Sequence, residues 1–140
     1  MPPSSPLSEP QKLSTARFRD TDVGFDHRPY LTVWMALDDA TEANGCVHVL
    51  PRDLDADQSL VAHRRAEDGK EKIGYDGPDP GVPVVVPAGA VVAFSSTTLH
   101  RSGGNTTDRR RRAYLAQYSD GPILDPATGA PKHFAKPFPA

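Results

Sequence analysis

Two short stretches of this 140-residue chain gather side chains able to bind or activate a ligand. The first runs Ser95-Ser96-Thr97-Thr98-Leu99-His100 and continues Arg101-Ser102-Gly103-Gly104-Asn105. Small polar residues leading to one histidine just past an apolar strand let the imidazole open on a cavity mouth, where a neutral ring nitrogen can ligate a metal or move a proton. A solvent-facing loop histidine is the plainer reading of the same residues. The second stretch is Arg109-Arg110-Arg111-Arg112. As a charge run it is a solvated strand entrance. As the start of a strand it must turn alternate guanidinium groups to opposite faces, so one or two point inward and need an anion. The planar fork of an inward arginine suits a carboxylate. Cys46 is the only cysteine, cannot close an intrachain disulfide, and reads as a small buried apolar residue.

The elements that must position these groups read as strands. Leu31, Val33, Met35 and Leu37 alternate with Thr32, Trp34, Ala36 and Asp38, and Gly45 to Leu50 repeats the period of two before Pro51 stops it. These two strands bracket the polar turn Asp38 to Asn44. Val82 to Val86 and Val91 to Phe94 read as two strands joined by a tight turn at Pro87-Ala88-Gly89-Ala90. The last strand runs Arg111 to Tyr118, with Ala113, Leu115 and Gln117 on one face and Arg112, Tyr114, Ala116 and Tyr118 on the other. Residues 1–15 hold four Pro and four Ser without apolar period and read as a disordered tail. Gly121 to Ala140 carries five Pro and reads as an extended surface tail pinned by Phe134 and Phe138. Pro51 to Gly81 is too long for a plain connection and reads as a lid, a short helix or an excursion. Folding information therefore sits in one domain over 16–120. Short strands with turn chemistry and no long amphipathic helix predict an all-β, mainly antiparallel sandwich or jelly roll.

Composition narrows the function. Sixteen Lys and Arg against eighteen Asp and Glu leave a net charge of -2, so no global basic field collects nucleic acid or anionic membrane. No apolar run approaches the ~20 residues that span a bilayer, and the N-terminus lacks a signal-peptide pattern. The expectation is a cytoplasmic protein acting on a small molecule, with neither nucleic acid nor membrane as partner.

At Leu31 to Pro51 the sequence, LTVWMALDDATEANGCVHVLP, resembles the W-x-A-L-D-D-x-x-x-x-N-G-x-x-x-x-x-P signature of the phytanoyl-CoA dioxygenase family of iron and 2-oxoglutarate oxygenases. Pro87-Ala88-Gly89-Ala90 through Phe94, then His100, Asn105, Asp108, Arg111 and the Tyr114 to Tyr118 strand, resembles that family's distal iron-binding histidine with its 2-oxoglutarate-binding arginine eleven residues later. The resemblance covers about 100 of the 140 residues. It implies a double-stranded β-helix, or jelly-roll, core and iron(II) in a 2-His-1-carboxylate facial triad that leaves positions open for 2-oxoglutarate and dioxygen. On this chain it implies His100 and Asp20 as iron ligands, Arg111 as the clamp on the far carboxylate of 2-oxoglutarate, and Trp34 and Ser102 as lining of the cosubstrate pocket. The implied reaction hydroxylates a small organic substrate and releases succinate and carbon dioxide.

The chain departs from the family pattern where the other two ligands should lie. Phe18-Arg19-Asp20 stands in place of H-x-D, and Phe18 has no lone pair to offer iron. His27 reads as structural or exposed; Asp22, which shares a face with Asp20 in extended chain, would give a harder site. Pro51-Arg52-Asp53-Leu54 replaces the family's P-G-S-H. Family members carry on the order of a hundred more residues ahead of H-x-D, so the chain reads as a truncated or degenerate member with an incomplete core. A sheet lacking its neighbour exposes an edge that invites pairing with a second copy. Two functions follow. One is an oxygenase whose iron is held by Asp20 and His100, with water, Asp22 or His27 completing the site. The alternative is a catalytically silent jelly-roll fragment that binds a small carboxylate through Arg111, or another chain. A cupin-like metal module needs clustered histidines, whereas His48, His63 and His133 are scattered.

Overall fold

The computed structural model describes residues 28–51, 61–65, 67, 72–75 and 77–131. Its organising strand is β1 (Leu31–Ala36), where strict alternation buries Thr32, Trp34 and Ala36 and turns Leu31, Val33 and Met35 the other way. The further strands are β2 (Val47–Val49), β3 (Arg64–Arg65), β4 (Lys72–Ile73), β5 (Val82–Pro83), β6 (Val91–Ser95), β7 (His100–Ser102) and β8 (Ala113–Tyr118). One sheet has the order β6-β1-β8 and a second the order β5-β2-β7; β3 and β4 form a small separate ribbon. Every pairing is antiparallel, and the described residues contain no helix. The all-β, antiparallel expectation is therefore met, in two main sheets of three described strands each that are consistent with a jelly-roll-like fold.

The register explains what is buried. Trp34 lies opposite Val92 on β6 and Leu115 on β8, and Thr32 lies opposite Phe94 and Gln117. Residues directly opposite share a face, so these side chains all look toward the second sheet. There Trp34, Ala36, Ala40, Cys46 and Val47 form the core, with Val49, Val86, Val92, Phe94 and Ala113 packed against it. An indole takes ~150–250 Å² out of water, so Trp34 dominates a core otherwise built of small residues. Cys46 is fully buried and unpaired, as its apolar reading requires.

Three features differ from the sequence reading. The run Val82 to Val86 is not one continuous strand. β5 ends at Pro83, and Val86 makes only an isolated bridge to Ala40. Pro83 donates no hydrogen bond and accordingly sits at the edge of its sheet. The turn at Pro87 to Ala90 is tight, with Ala90 N donating to Pro87 O at 3.1 Å and Gly89 at φ 87°. Yet the strands it joins belong to different sheets, β5 pairing with β2 and β6 with β1. Finally, His100 is itself in a strand, β7, because the Ser95-to-Leu99 segment is a turn: Thr98 N donates to Ser95 O and Thr97 N to Ser95 Oγ.

Beyond β8 the chain is held by Ile123, which is buried against Tyr30, and by the Asp125–Ala130 turn closed by the Leu124–Pro131 bridge. The expected N-terminal tail, Phe18, Asp20, Asp22 and His27, and the proposed pins Phe134 and Phe138, lie outside the described residues.

Candidate functional site

His100 opens β7 opposite Val49, and Ser102 lies opposite Val47. Because Val47 and Val49 face the core, alternation turns His100 and Ser102 toward the space between the sheets and Arg101 away from it. The His100 ring meets Phe94 across that space, with ring centroids 4.8 Å apart and planes tilted by 58°. Its Nδ1 donates to the Thr98 carbonyl at 3.0 Å. A carbonyl only accepts, so Nδ1 carries the proton and Nε2 presents its lone pair, the form a metal ligand requires. Burial, opposed by that hydrogen bond, pushes the His100 pKa below its ordinary value and keeps the ring neutral near pH 7.

Arg111 lies just ahead of β8, on the same parity as Ala113, Leu115 and Gln117. Its guanidinium carbon stands 5.8 Å from the Trp34 ring centroid, and its Nε donates to Asn44 O at 3.3 Å. Among the described residues it has no carboxylate partner. The neighbouring Arg112 is turned outward. Its Nε and Nη2 meet Asp38 Oδ2 and Oδ1 at 2.9 and 2.8 Å, and its backbone N donates to Oδ2 at 2.8 Å. Those hydrogen bonds hold the Asp38 carboxyl at about 2, below its ordinary 3.8. Arg109 and Arg110 are exposed. Thus one arginine of the tetrad points inward, another is an outward clasp, and two are solvated.

The loop joining β1 to β2 explains why Arg111 stays put. Asn44 Oδ1 accepts from Thr41 N at 2.8 Å while Asn44 Nδ2 donates to Asp39 O at 2.7 Å, folding Asp38 to Asn44 onto itself. Asp39 Oδ1 accepts from Ala88 N at 2.8 Å and ties the loop to the Pro87 turn. Gly45 has φ 82°, and a Cβ there would collide with the Gly103 carbonyl, so only glycine lets these two backbones approach. The most signature-like residues of the sequence are therefore a brace. They present the Asn44 carbonyl to Arg111 and draw the His100 strand's exit against the same loop.

Of the residues singled out from sequence, His100, Arg111 and Trp34 are brought to the intersheet space, while Ser102 stands exposed at the open end of β7. Asp20 lies outside the described residues, and among those residues no three His, Cys, Asp or Glu side chains converge on one point. Sequence reading missed Phe94, which seats His100, and the polar pair Thr32–Gln117, whose Nε2–Oγ1 distance is 3.5 Å. Strand alternation was the available signal for both. Leu115 faces the same way as Trp34 yet is 40% exposed, so the space opens to solvent along β8.

The family model described as phytanoyl-CoA dioxygenase matches residues 13–113. The chain belongs to the phytanoyl-CoA dioxygenase family. It is 27% identical over 117 residues to the mouse (Mus musculus) phytanoyl-CoA dioxygenase domain-containing protein 1, a match covering 78% of this chain and 40% of the relative. It is 32% identical over 88 residues to the phytanoyl-CoA dioxygenase of Arabidopsis thaliana, covering 59% of this chain and 30% of that one. The chain thus spans well under half the length of the curated relatives it matches. No solved structure matches it. In this phytanoyl-CoA dioxygenase family member, the matched stretch includes Phe18 and Asp20 as well as His100 and Arg111.

Proposed function

We propose that this chain carries an Fe(II)- and 2-oxoglutarate-dependent oxygenase site of phytanoyl-CoA dioxygenase type, acting on a small organic substrate with release of succinate and carbon dioxide. The observations that support the reading are an inward arginine that has no carboxylate partner among the described residues and a histidine whose bond to Thr98 sets the ligating tautomer. The residues present suit the cofactor at both places. His100 Nε2 is a neutral imidazole donor, and Asp20 supplies a carboxylate by its place in the sequence. With Phe18 where a second histidine belongs, water, Asp22 or His27 would complete the ligand set. Bound iron with 2-oxoglutarate supplies the oxidising power for hydroxylation.

The chain's own residues then have distinct tasks. Arg111 binds the far carboxylate of 2-oxoglutarate through its two terminal nitrogens, a charge-assisted contact worth roughly 1.5–3 kcal/mol. Trp34 lies beneath the guanidinium, limits its swing and keeps water from that side. The Asn44 carbonyl fixes Nε, so the terminal nitrogens aim at the ligand. Phe94 and Thr98 orient the His100 ring, and Ser102 offers a hydroxyl at the mouth of the cosubstrate pocket.

Anaerobic addition of iron(II) and then 2-oxoglutarate to the purified chain tests this. The expected result is a saturable visible charge-transfer band from chelated 2-oxoglutarate, absent in His100→Ala. No band in the native chain, with none in Phe18→His, would overturn the proposal.

A further inference from the structure

The wall that the β6-β1-β8 sheet turns toward the second sheet is apolar through the rows of Ala36 and Trp34 and becomes polar at Thr32. Register sets Val92, Trp34 and Leu115 side by side in one row and Phe94, Thr32 and Gln117 in the next. Thr32 is 4% exposed, at a place where valine would fill the same volume without a hydroxyl to desolvate. Its Oγ1 accepts from Gln117 Nε2 at 3.5 Å, the outer limit of a hydrogen bond, and neither side chain has another partner among the described residues. Polar groups drawn from water and joined so loosely recover little of the hydration they lose, which is the condition of groups that serve a ligand. The same two rows carry the two ends of the proposed site. Arg111 stands over Trp34 in the first, and the His100 ring lies against Phe94 in the second. Alternate residues of an antiparallel strand are ~6.8 Å apart, and the carboxylates of 2-oxoglutarate, separated by a short chain of C–C bonds of ~1.5 Å, span a similar distance. A diacid whose far carboxylate meets Arg111 therefore brings its keto-acid end to the row that holds Gln117.

We propose that Gln117 is a further ligand-contacting residue of this site: its Nε2 donates to the carboxylate beside the keto group of 2-oxoglutarate, and Thr32 is the positioning residue that holds the amide for that bond. The inference rests on the proposed 2-oxoglutarate site and adds a second recognition point, at the end of the molecule opposite Arg111. A carboxamide nitrogen carries two N–H groups, so the bond to Thr32 leaves one to give. A neutral donor suits the place, because a cationic side chain this close to His100 would repel a metal ion, whereas an amide meets a carboxylate without adding charge. Gln117 has the same parity as Arg111 and follows it on the same segment of chain, so β8 and its leading residue present both contacts to one face.

Anaerobic titration of the full chain with iron(II) and a 2-keto acid, followed by the charge-transfer band, tests this with two acids. One is 2-oxoglutarate; the other is 2-oxopentanoate, which has a methyl group in place of the far carboxylate. Arg111→Ala should weaken binding of the first alone. Gln117→Leu should weaken both by the same factor, about tenfold, and Gln117→Glu by more, because it sets a carboxylate against a carboxylate. At saturation the band of Gln117→Leu should lie at shorter wavelength, since a donor to the keto acid stabilises the orbital that receives the charge. Thr32→Val should move the band the same way and Thr32→Ser should restore it, a pattern that altered packing would not give. Far-UV circular dichroism and Trp34 fluorescence report the fold, and Gln117→Glu with Thr32→Val carries the test if Gln117→Leu does not fold. Folded Gln117 variants that bind both acids as the native chain does, with the band unmoved, overturn the inference and leave the 2-oxoglutarate site standing. Weakening confined to 2-oxoglutarate also overturns it, by placing Gln117 at the far carboxylate. A native chain without a band removes the site itself, and the inference with it.

Discussion

The two ends of the candidate site are held in different ways. At the Arg111 end, a brace written in a dozen contiguous residues surrounds the side chain. Trp34 lies under the guanidinium, the Asn44 carbonyl holds Nε, and the Asp38–Arg112 clasp pins the strand just past it. At the His100 end, support comes from one bond to the preceding turn and one ring across the sheets. In the proposed site the remaining ligands would come from sequence far away, at Asp20 and its neighbours. In the proposed site the arginine is thus held by residues close together in sequence, whereas a metal centre would depend on long-range closure of the chain. Replacement of one distant ligand would therefore weaken the proposed metal end first, and Phe18 stands where the family pattern has histidine.

The largest effect expected is at the metal end. Phe18→His restores a coordinating nitrogen, so iron(II) affinity measured by anaerobic titration should rise by more than the ~10- to 100-fold typical of changes that only touch a ligand's neighbours. Unchanged affinity would place the weakness of this end elsewhere. Next comes the contrast between adjacent arginines. Arg111→Ala should weaken 2-oxoglutarate binding by about 10- to 150-fold, the range that follows from a charge-assisted contact of roughly 1.5–3 kcal/mol. Arg112→Ala should leave that affinity nearly unchanged and lower the melting temperature. A reversed result would mean that the strand register is one residue out.

The smallest effect concerns the clasp. Asp38 titrates at about 2 in the folded chain rather than at 3.8, so the folded state keeps the carboxylate charged where the unfolded chain protonates it. Its contribution to stability is complete above the ordinary carboxylate value and is lost as pH falls from about 4 toward 2. Thermal melts of the native chain and Asp38→Asn should therefore differ near neutrality and converge at the acid end. Parallel curves across that window would remove the clasp from the brace.

Much of this was legible in the residues. Period-two alternation located β1, β2 and β8, a short apolar run beside a tight turn located β6, and the same parity argument showed that only some of Arg109 to Arg112 could turn inward. The signature from Trp34 to Gly45 marked the family, although its polar residues act in bracing rather than in chemistry. What alternation cannot supply is the side of a strand that faces the core. On β1 the face with Leu31, Val33 and Met35 is the more aliphatic, yet Thr32, Trp34 and Ala36 are buried. Trp34 needs a deep, wide space, and small residues on either side of it leave room for the second sheet.

The sequence by itself determined the strand periods, the tight turn at Gly89, and the family. Each of these follows from local sterics or from a contiguous pattern. Tertiary structure alone decided that β5 and β6 part into different sheets, that His100 comes back against Phe94, and that Gly45 meets the Gly103 backbone. Those outcomes depend on pairings between residues dozens of positions apart, set by which apolar surfaces can be sealed together. No local preference along the chain encodes that choice.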